Sequence, residues 1–203
     1  LTLDDLRGYA RIVTEPLAAG AERTGVTPNQ LSALSLIFSA AAGLMYYQSP
    51  DKPEMLYAAA CMLLLNAVSD AADGALARRT GRADPRGDFL DHVIDRYADM
   101  FILLGIIFAG YVPWPIGMLA VVGVLLTSYI GTEAQALSLG RYYGGMMGRA
   151  DRLTLIFLAT LACALYPYSI EGLPILGWVV VVTMLSSHIT ALQRFNHVWK
   201  NLP

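Results

Sequence analysis

Asp70, Asp73, Asp91 and Asp95 stand inside otherwise apolar sequence, in the frame D-x2-DG-x2-AR-x8-G-x3-D-x3-D that also fixes Gly74, Ala77, Arg78 and Gly87. A charge at the centre of a membrane helix costs about 2.5–3.5 kcal/mol on insertion scales, so four clustered acids mark a site. A spacing of three puts Asp70 and Asp73 on one helix face, and a spacing of four does the same for Asp91 and Asp95. The short connection containing Gly and Arg makes the two helices antiparallel neighbours, so the two pairs can face each other across a polar pocket. Oxygen-only ligands suit Mg²⁺ or Mn²⁺ rather than zinc, which prefers His or Cys. Two such ions per site can clamp the bridging and leaving oxygens of a phosphoryl centre. Arg78, about one turn beyond Asp73, offers a guanidinium fork to a phosphate. Gly74 removes a side chain where phosphates would approach the backbone, Ala77 keeps that wall shallow, and Gly87 permits close helix contact. The competing reading is that the acids only pair with Arg78, Arg79 and Arg96. Seven acids between positions 70 and 99 speak against it for the cluster. Asp88 and Asp99 fit either a supporting role or a plain ion pair, and His92, on a different face from Asp91, reads as packing or surface.

These residues must be held by membrane helices. The chain of 203 residues is 56% hydrophobic and 15% charged, well below the roughly 25% charged residues of a soluble domain. Six stretches, 31–47, 55–78, 88–110, 114–139, 151–167 and 173–195, are long enough to span, given about 17–25 residues per crossing. Brief Pro- and Gly-bearing loops separate them. The expected fold is an all-α integral membrane protein with six transmembrane helices. Residues 1–203 form a single domain, with 1–24 a juxtamembrane helix and 25–203 a six-helix bundle. Residues 2–22 read as an amphipathic interfacial helix with Leu3, Leu6, Tyr9, Ala10, Ile12, Val13 and Leu17 available to lipid, or else as an exposed arm. Asp4, Asp5, Arg7 and Arg11 interrupt any early apolar core, so no signal peptide is expected. With the N-terminus in the cytoplasm, thirteen of the fourteen Lys and Arg residues fall inside and only Lys52 outside, a positive-inside bias. A multi-pass cell-membrane protein with its acidic site at the cytoplasmic face is the result. Cys61 and Cys163 lie in apolar runs and read as small hydrophobes. A net charge of −2 gives no pointer to a nucleic-acid partner, and none is expected.

At the eight fixed positions the chain resembles the CDP-alcohol phosphatidyltransferase family, integral membrane enzymes of phospholipid synthesis, with no insertion in the motif. The resemblance extends through the six-helix plan and through Thr27, Pro28 and Asn29. There Thr27 would cap the first span and Pro28 would occupy its first turn. It implies a CDP-linked lipid donor, a small polar alcohol acceptor and CMP as leaving group. It implies that Asp70, Asp73 and Asp91 hold the metals, with Asp91 bridging, and that Asp95 is the general base while touching one metal. Asp70, Gly74 and Arg78 would contact the CDP diphosphate, and Asn29 to Ser32 would lie beside the donor. Family members often carry a small hydroxyl residue where this chain has Asp84, and an acid there could accept from the cytosine amino group. The acceptor hydroxyl would attack the lipid-side phosphorus, giving its proton to Asp95. The resemblance further implies a homodimer, for which Gly105 and Gly110 on the third span are the small residues in view.

A second constellation spans residues 140–152. Arg141, Arg149 and Arg152, with Arg194, could grip a phosphate on the acceptor. The alternative is topology charge or contact with anionic lipid. As a phosphate grip the arginines favour inositol phosphate or glycerol phosphate over free serine. The run Gly148, Arg149, Ala150, Asp151, Arg152 and Leu153 is similar to archaetidylinositol-phosphate-type synthases, whose donor is an archaeal ether lipid. In contrast, residues 131–135 lack the basic pair that inositol-phosphate members often show. Two other readings stay open. Asn66, Asp70 and Asp73 followed by Asp91 and Asp95 resemble the paired motifs of intramembrane prenyltransferases, which use more helices and place their motifs further apart. An ion transporter could use the acids as a cation path, although no broken-helix pair or repeat is visible. Release of CMP, of pyrophosphate, or of neither separates the three.

Overall fold

A computed structural model describes residues 7–81, 84–140, 142 and 144–202, with side chains from Thr14 onward. Residues 2–6 of the expected amphipathic segment, together with Arg82 and Arg141, lie outside the described residues. Among the described residues seven helices follow one another: α1 (Arg7–Thr24), α2 (Pro28–Gln48), α3 (Met55–Thr80), α4 (Pro85–Phe108), α5 (Trp114–Ala136), α6 (Arg149–Leu165) and α7 (Ile175–Asn201). Between α6 and α7, where only a loop was expected, Ser169–Ile170 (β1) and Leu173–Pro174 (β2) pair as a two-residue antiparallel ribbon.

Local chemistry sets the helix ends. Thr27 Oγ1 accepts from Gln30 N at 3.4 Å while Gln30 Oε1 accepts from Thr27 N at 2.9 Å, a reciprocal cap with Pro28 in the first turn of α2. α3 stops at Gly81, whose φ of 65° is the left-handed conformation that closes a helix. Asp84 Oδ1 accepts from Gly87 N at 2.6 Å and starts α4, again with Pro in the first turn.

Among the described residues four helices, α2, α3, α5 and α7, are long and apolar enough to cross a membrane. The six crossings expected from the sequence are not all met on that measure. The N-terminal half of α4 carries Asp88, Asp91, Asp95 and Arg96, with Asp99 just beyond, so its apolar stretch is short, and α6 has only 17 residues. Outward-facing Ile37, Leu64, Phe108, Leu165 and Leu192 give the bundle an apolar exterior, as a lipid-facing surface requires.

Inside, α2 lies along both α3 and α4, α5 lies along α7, and α6 bridges α3 and α7. Tyr46, Leu63, Ile102, Ile106, Ile156 and Val180 belong to one buried core. A Cβ on Gly105 would sit 2.4 Å from the Gly43 carbonyl oxygen, so α2 and α4 touch backbone to backbone. Gly105 is therefore used within the chain rather than at an outward small-residue face, and Gly110 follows the end of α4 with φ 79°. Tyr46 Oη and Thr160 Oγ1, 2.5 Å apart, join α2 to α6, and Asn66 Nδ2 donates to Ser35 O at 2.9 Å across α3 and α2. α1 rests on the C-terminal half of α3. Ala18 is fully buried against Ala75 and Leu76, and Arg79 Nε donates to Glu22 Oε2 at 2.5 Å, with Glu15 3.8 Å from Nη1. Arg79 thus serves α1 and not the acid cluster.

Candidate active site

Asp70 on α3 and Asp91 and Asp95 on α4 each present one carboxylate oxygen to a common point, all within 4.8 Å of one another. The short connection predicts α3 and α4 as packed antiparallel neighbours, but both helices instead pack along α2, and the i,i+4 pair on α4 meets one acid of the i,i+3 pair on α3 through their side chains. The fourth acid is directed elsewhere. Asp73 is buried, and its Oδ2 accepts from Ser32 Oγ of α2 at 2.5 Å. Asp70 Oδ1 is buried with no hydrogen-bond partner among the described residues. An acceptor left in that state costs about 1–3 kcal/mol, and a divalent cation would engage it. The hard oxygen donor set, its spacing and this orphaned oxygen all fit such an ion.

Arginines enter the cluster from α6. Arg149, the first residue of that helix, places Nη1 2.8 Å from Asp70 Oδ2 and 2.7 Å from Asp95 Oδ1, with Nε 3.6 Å from Asp99 Oδ1. One turn deeper Arg152 Nη2 donates to Asp99 Oδ2 at 2.5 Å, both side chains being buried. Arg96 Nη2 stands 3.4 Å from Asp95 Oδ2 and 3.8 Å from Asp99 Oδ2. Of the two sequence readings for Asp99, the structure has the ion pair. Arg149 Nη2 is buried and meets no acceptor among the described residues, which leaves a donor for an anion. Arg194 lies apart from this group. Its Nε donates to Gly144 O at 2.9 Å and its Nη1 to Thr127 O at 2.8 Å, crossing α5 where a Cβ on Gly131 would lie 2.7 Å from Nη1.

The residues expected on the donor side gather where α2 and α4 begin. Arg78 is exposed and folds back over Gly74, with Nη1 3.3 Å from where a Cβ on Gly74 would be. Asn29 Oδ1 and Asp84 Oδ1 approach the corresponding point on Gly87 to 3.6 and 3.2 Å. In this structure Asp84 is engaged as the cap of α4 and Ser32 as the donor to Asp73. His92, expected to face away from Asp91, has its Nδ1 3.8 Å from Asp91 Oδ2 and its Nε2 3.5 Å from Asp88 Oδ1. The i,i+4 spacing of Asp88 and His92 was the signal for that placement. No sequence signal linked Arg149 to Asp70, 79 residues earlier.

A family model described as CDP-alcohol phosphatidyltransferase matches residues 25–185. The chain belongs to this family. An archaetidylinositol phosphate synthase from Pyrococcus horikoshii is 34% identical over 158 residues, 78% of this chain and 81% of the relative. The crystal structure of Mycobacterium tuberculosis phosphatidylinositol phosphate synthase with CDP-DAG bound is similar with a TM-score of 0.77 at 27% identity, covering 92% of this chain and 94% of that one. The same mycobacterial enzyme in complex with manganese and citrate gives a TM-score of 0.77 at 27% identity, over 92% of this chain and 89% of that one. As a CDP-alcohol phosphatidyltransferase the chain is a membrane transferase of substituted phosphate groups that acts in phospholipid biosynthesis. All eight motif positions lie within the matched span.

Proposed function

We propose that this CDP-alcohol phosphatidyltransferase moves the phosphatidyl-type group of a CDP-linked lipid onto a hydroxyl of inositol phosphate and releases CMP. The observation that carries the reading is the Arg149 guanidinium held between Asp70 and Asp95, with one donor left over for an anion. A phosphate on the acceptor is the anion that such a donor selects, because a fork of N–H groups matches phosphate geometry. Arg152 adds positive charge one turn deeper, and Arg141 and Arg194 are the further acceptor contacts that this reading calls for. Glycerol phosphate would answer to the same arginines, and residues 131–135, without a basic pair, keep it as the comparison acceptor.

In this reading Asp70, Asp73, Asp91 and Asp95 hold two Mg²⁺ or Mn²⁺ ions, which supply Lewis-acid neutralisation of charge on the diphosphate. Asp95 takes the proton of the attacking acceptor hydroxyl. Arg149 touches Asp95, so an acceptor phosphate bound at its outer edge brings the acceptor alongside the base. Gly74 leaves bare backbone beneath the Arg78 guanidinium for the donor diphosphate, and Asn29, Ser32 and Asp84 line the nucleotide end. Ser32 also fixes the rotamer of Asp73. The helices make six crossings, with the shorter α6 and the charged α4 carried by their neighbours. The N-terminus and the active site face the cytoplasm, where a water-soluble acceptor meets a lipid donor at the cell membrane. The enzyme works as a homodimer.

The deciding experiment is CMP release by purified protein in detergent, with a CDP-linked diacyl lipid or its diether counterpart and either metal. Acceptors are inositol phosphate, glycerol phosphate, inositol and serine. Release that depends on inositol phosphate and disappears in Asp95→Asn supports the reading. Release with inositol or serine but not with a phosphorylated alcohol overturns it.

A further inference from the structure

The segment that delivers Arg149 to the acid cluster is fastened at one buried hydroxyl. Thr190 of α7 is fully buried, and its Oγ1 accepts from Met146 N at 3.1 Å and from Met147 N at 3.2 Å. The same oxygen donates to Ser186 O at 2.7 Å. A hydroxyl has one proton and two lone pairs, so its whole capacity is committed, two thirds of it to the loop. The loop is shaped to meet it. Gly145 has φ 144°, and a Cβ there would stand 2.2 Å from Thr190 Cγ2. Both the backbone conformation and the close approach call for glycine. Immediately afterwards Gly148 N donates to Asp151 Oδ2 at 2.9 Å, which opens α6, and Arg149 is the next residue. Only Gly148 separates the clasped amide of Met147 from Arg149. One turn along α7, Arg194 Nε holds Gly144 O on the other side of the clasp at 2.9 Å.

We propose that Thr190 is a positioning residue of the acceptor site: by holding the amides of Met146 and Met147 it sets how far Arg149 reaches toward Asp70 and Asp95, and so the affinity for the acceptor's phosphate. This rests on the function proposed above. Thr190 itself touches no acid of the cluster among the contacts described. Its effect runs through two backbone amides and the start of a helix, and a hydroxyl is needed because a methyl of the same shape would leave two N–H donors facing an apolar surface. A purely structural stitch would lower yield or kcat without selectivity. A positioning role moves the KM of one substrate.

The test uses the full chain in lipid nanodiscs, comparing wild type with Thr190→Val, Thr190→Ser and Gly145→Ala. CMP release is measured with inositol phosphate and CDP-lipid varied in turn, and hydrogen exchange is followed at the amides of residues 146 and 147. Thr190→Val is expected to raise the KM for inositol phosphate about tenfold, the equilibrium weight of one net hydrogen bond. The KM for CDP-lipid stays unchanged, Thr190→Ser restores the wild-type value, and the two amides exchange faster. Gly145→Ala, changed on the loop side, shifts the same KM and decides the matter if Thr190→Val does not fold. An unchanged acceptor KM in both folded variants, or a fall in kcat alone, overturns the proposal. Wild-type protein that turns over no phosphorylated alcohol overturns the functional reading instead. In that event the clasp is judged by exchange alone, and equal exchange in Thr190→Val and wild type rejects it.

Discussion

The Arg149 guanidinium lies between Asp70 and Asp95, its Nη1 2.8 Å from one carboxylate and 2.7 Å from the other. Two of the three carboxylates that converge on a common point therefore also belong to an ion pair. A divalent cation and this guanidinium draw on the same negative charge. Removing one partner of a buried pair costs about 3–5 kcal/mol because the other charge is left uncompensated, and a bound ion can relieve that. Arg149→Gln is expected to bind Mn²⁺ severalfold more tightly than wild type in the absence of substrates, read by electron paramagnetic resonance titration. It should also lose at least about tenfold in kcat/KM for the phosphorylated acceptor, through the lost charge-assisted contact. Weaker Mn²⁺ binding in the variant would show that Arg149 supports the ion rather than competing with it.

On the proposed mechanism Asp95 and Asp91 divide the work of α4. Asp95→Asn should lower kcat by about 10²–10⁴-fold, the usual contribution of a general base, while Mn²⁺ still binds through the remaining acids. Asp91→Asn should lose both metal binding and turnover. Chelation of wild type with EDTA should abolish CMP release, and Mg²⁺ or Mn²⁺ should restore it. Full activity in EDTA would remove the metal from the reaction.

Ser32 fixes Asp73 from a neighbouring helix at 2.5 Å. Partners that orient metal-binding groups are typically worth 10–100-fold in metal affinity or activity. Ser32→Ala should weaken Mn²⁺ binding within about that range, and Ser32→Thr should keep most of it. An isothermal titration with no difference between Ser32→Ala and wild type would assign Ser32 to packing alone.

The backbone contact between Gly43 and Gly105 leaves no room for a methyl group. Overpacking a tight core costs about 1–3 kcal/mol, so Gly105→Ala should melt several degrees lower in detergent. Gly20→Ala, with open space around the new Cβ on α1, should melt with wild type. Equal melting of the two variants would mean that α2 and α4 are not in contact there.

Much of the site was legible because its information is local. Spacings of three and four fixed which acids share a face, and Thr27 marked the start of α2 through hydrogen bonds within a few residues, whereas the roles of Gly81 and Asp84 in ending α3 and opening α4 came from the structure. The α3 segment expected at 55–78 runs Met55–Thr80, and the one expected at 114–139 runs Trp114–Ala136. What spacing could not encode is the rotation of one helix against another. Asp73 shares a face with Asp70 yet turns to Ser32, because α2 packs on that side of α3. Arg149 and Arg152 looked like loop charges since nothing local shows that α6 begins at Arg149 and sends these side chains to the acids of α4. The crossing count exceeded what apolar length supports, because the same acids that make α4 a site deplete it of hydropathy.

The separation between the charges of α4 and those of α6 bears on how the protein is made. Asp99 finds Arg152 only 53 residues later in the chain, and Asp70 finds Arg149 only 79 residues later. On the six-crossing arrangement proposed above, a nascent chain that has reached α4 holds its acids with Arg96 alone, before Arg149 and Arg152 are made. Nascent chains ending at residue 140 should accordingly leave α4 outside the bilayer or be degraded, whereas chains ending at residue 165 should retain it, as glycosylation mapping of the two truncations would reveal. The arginines of α6 would, in this sense, also serve to keep α4 in place.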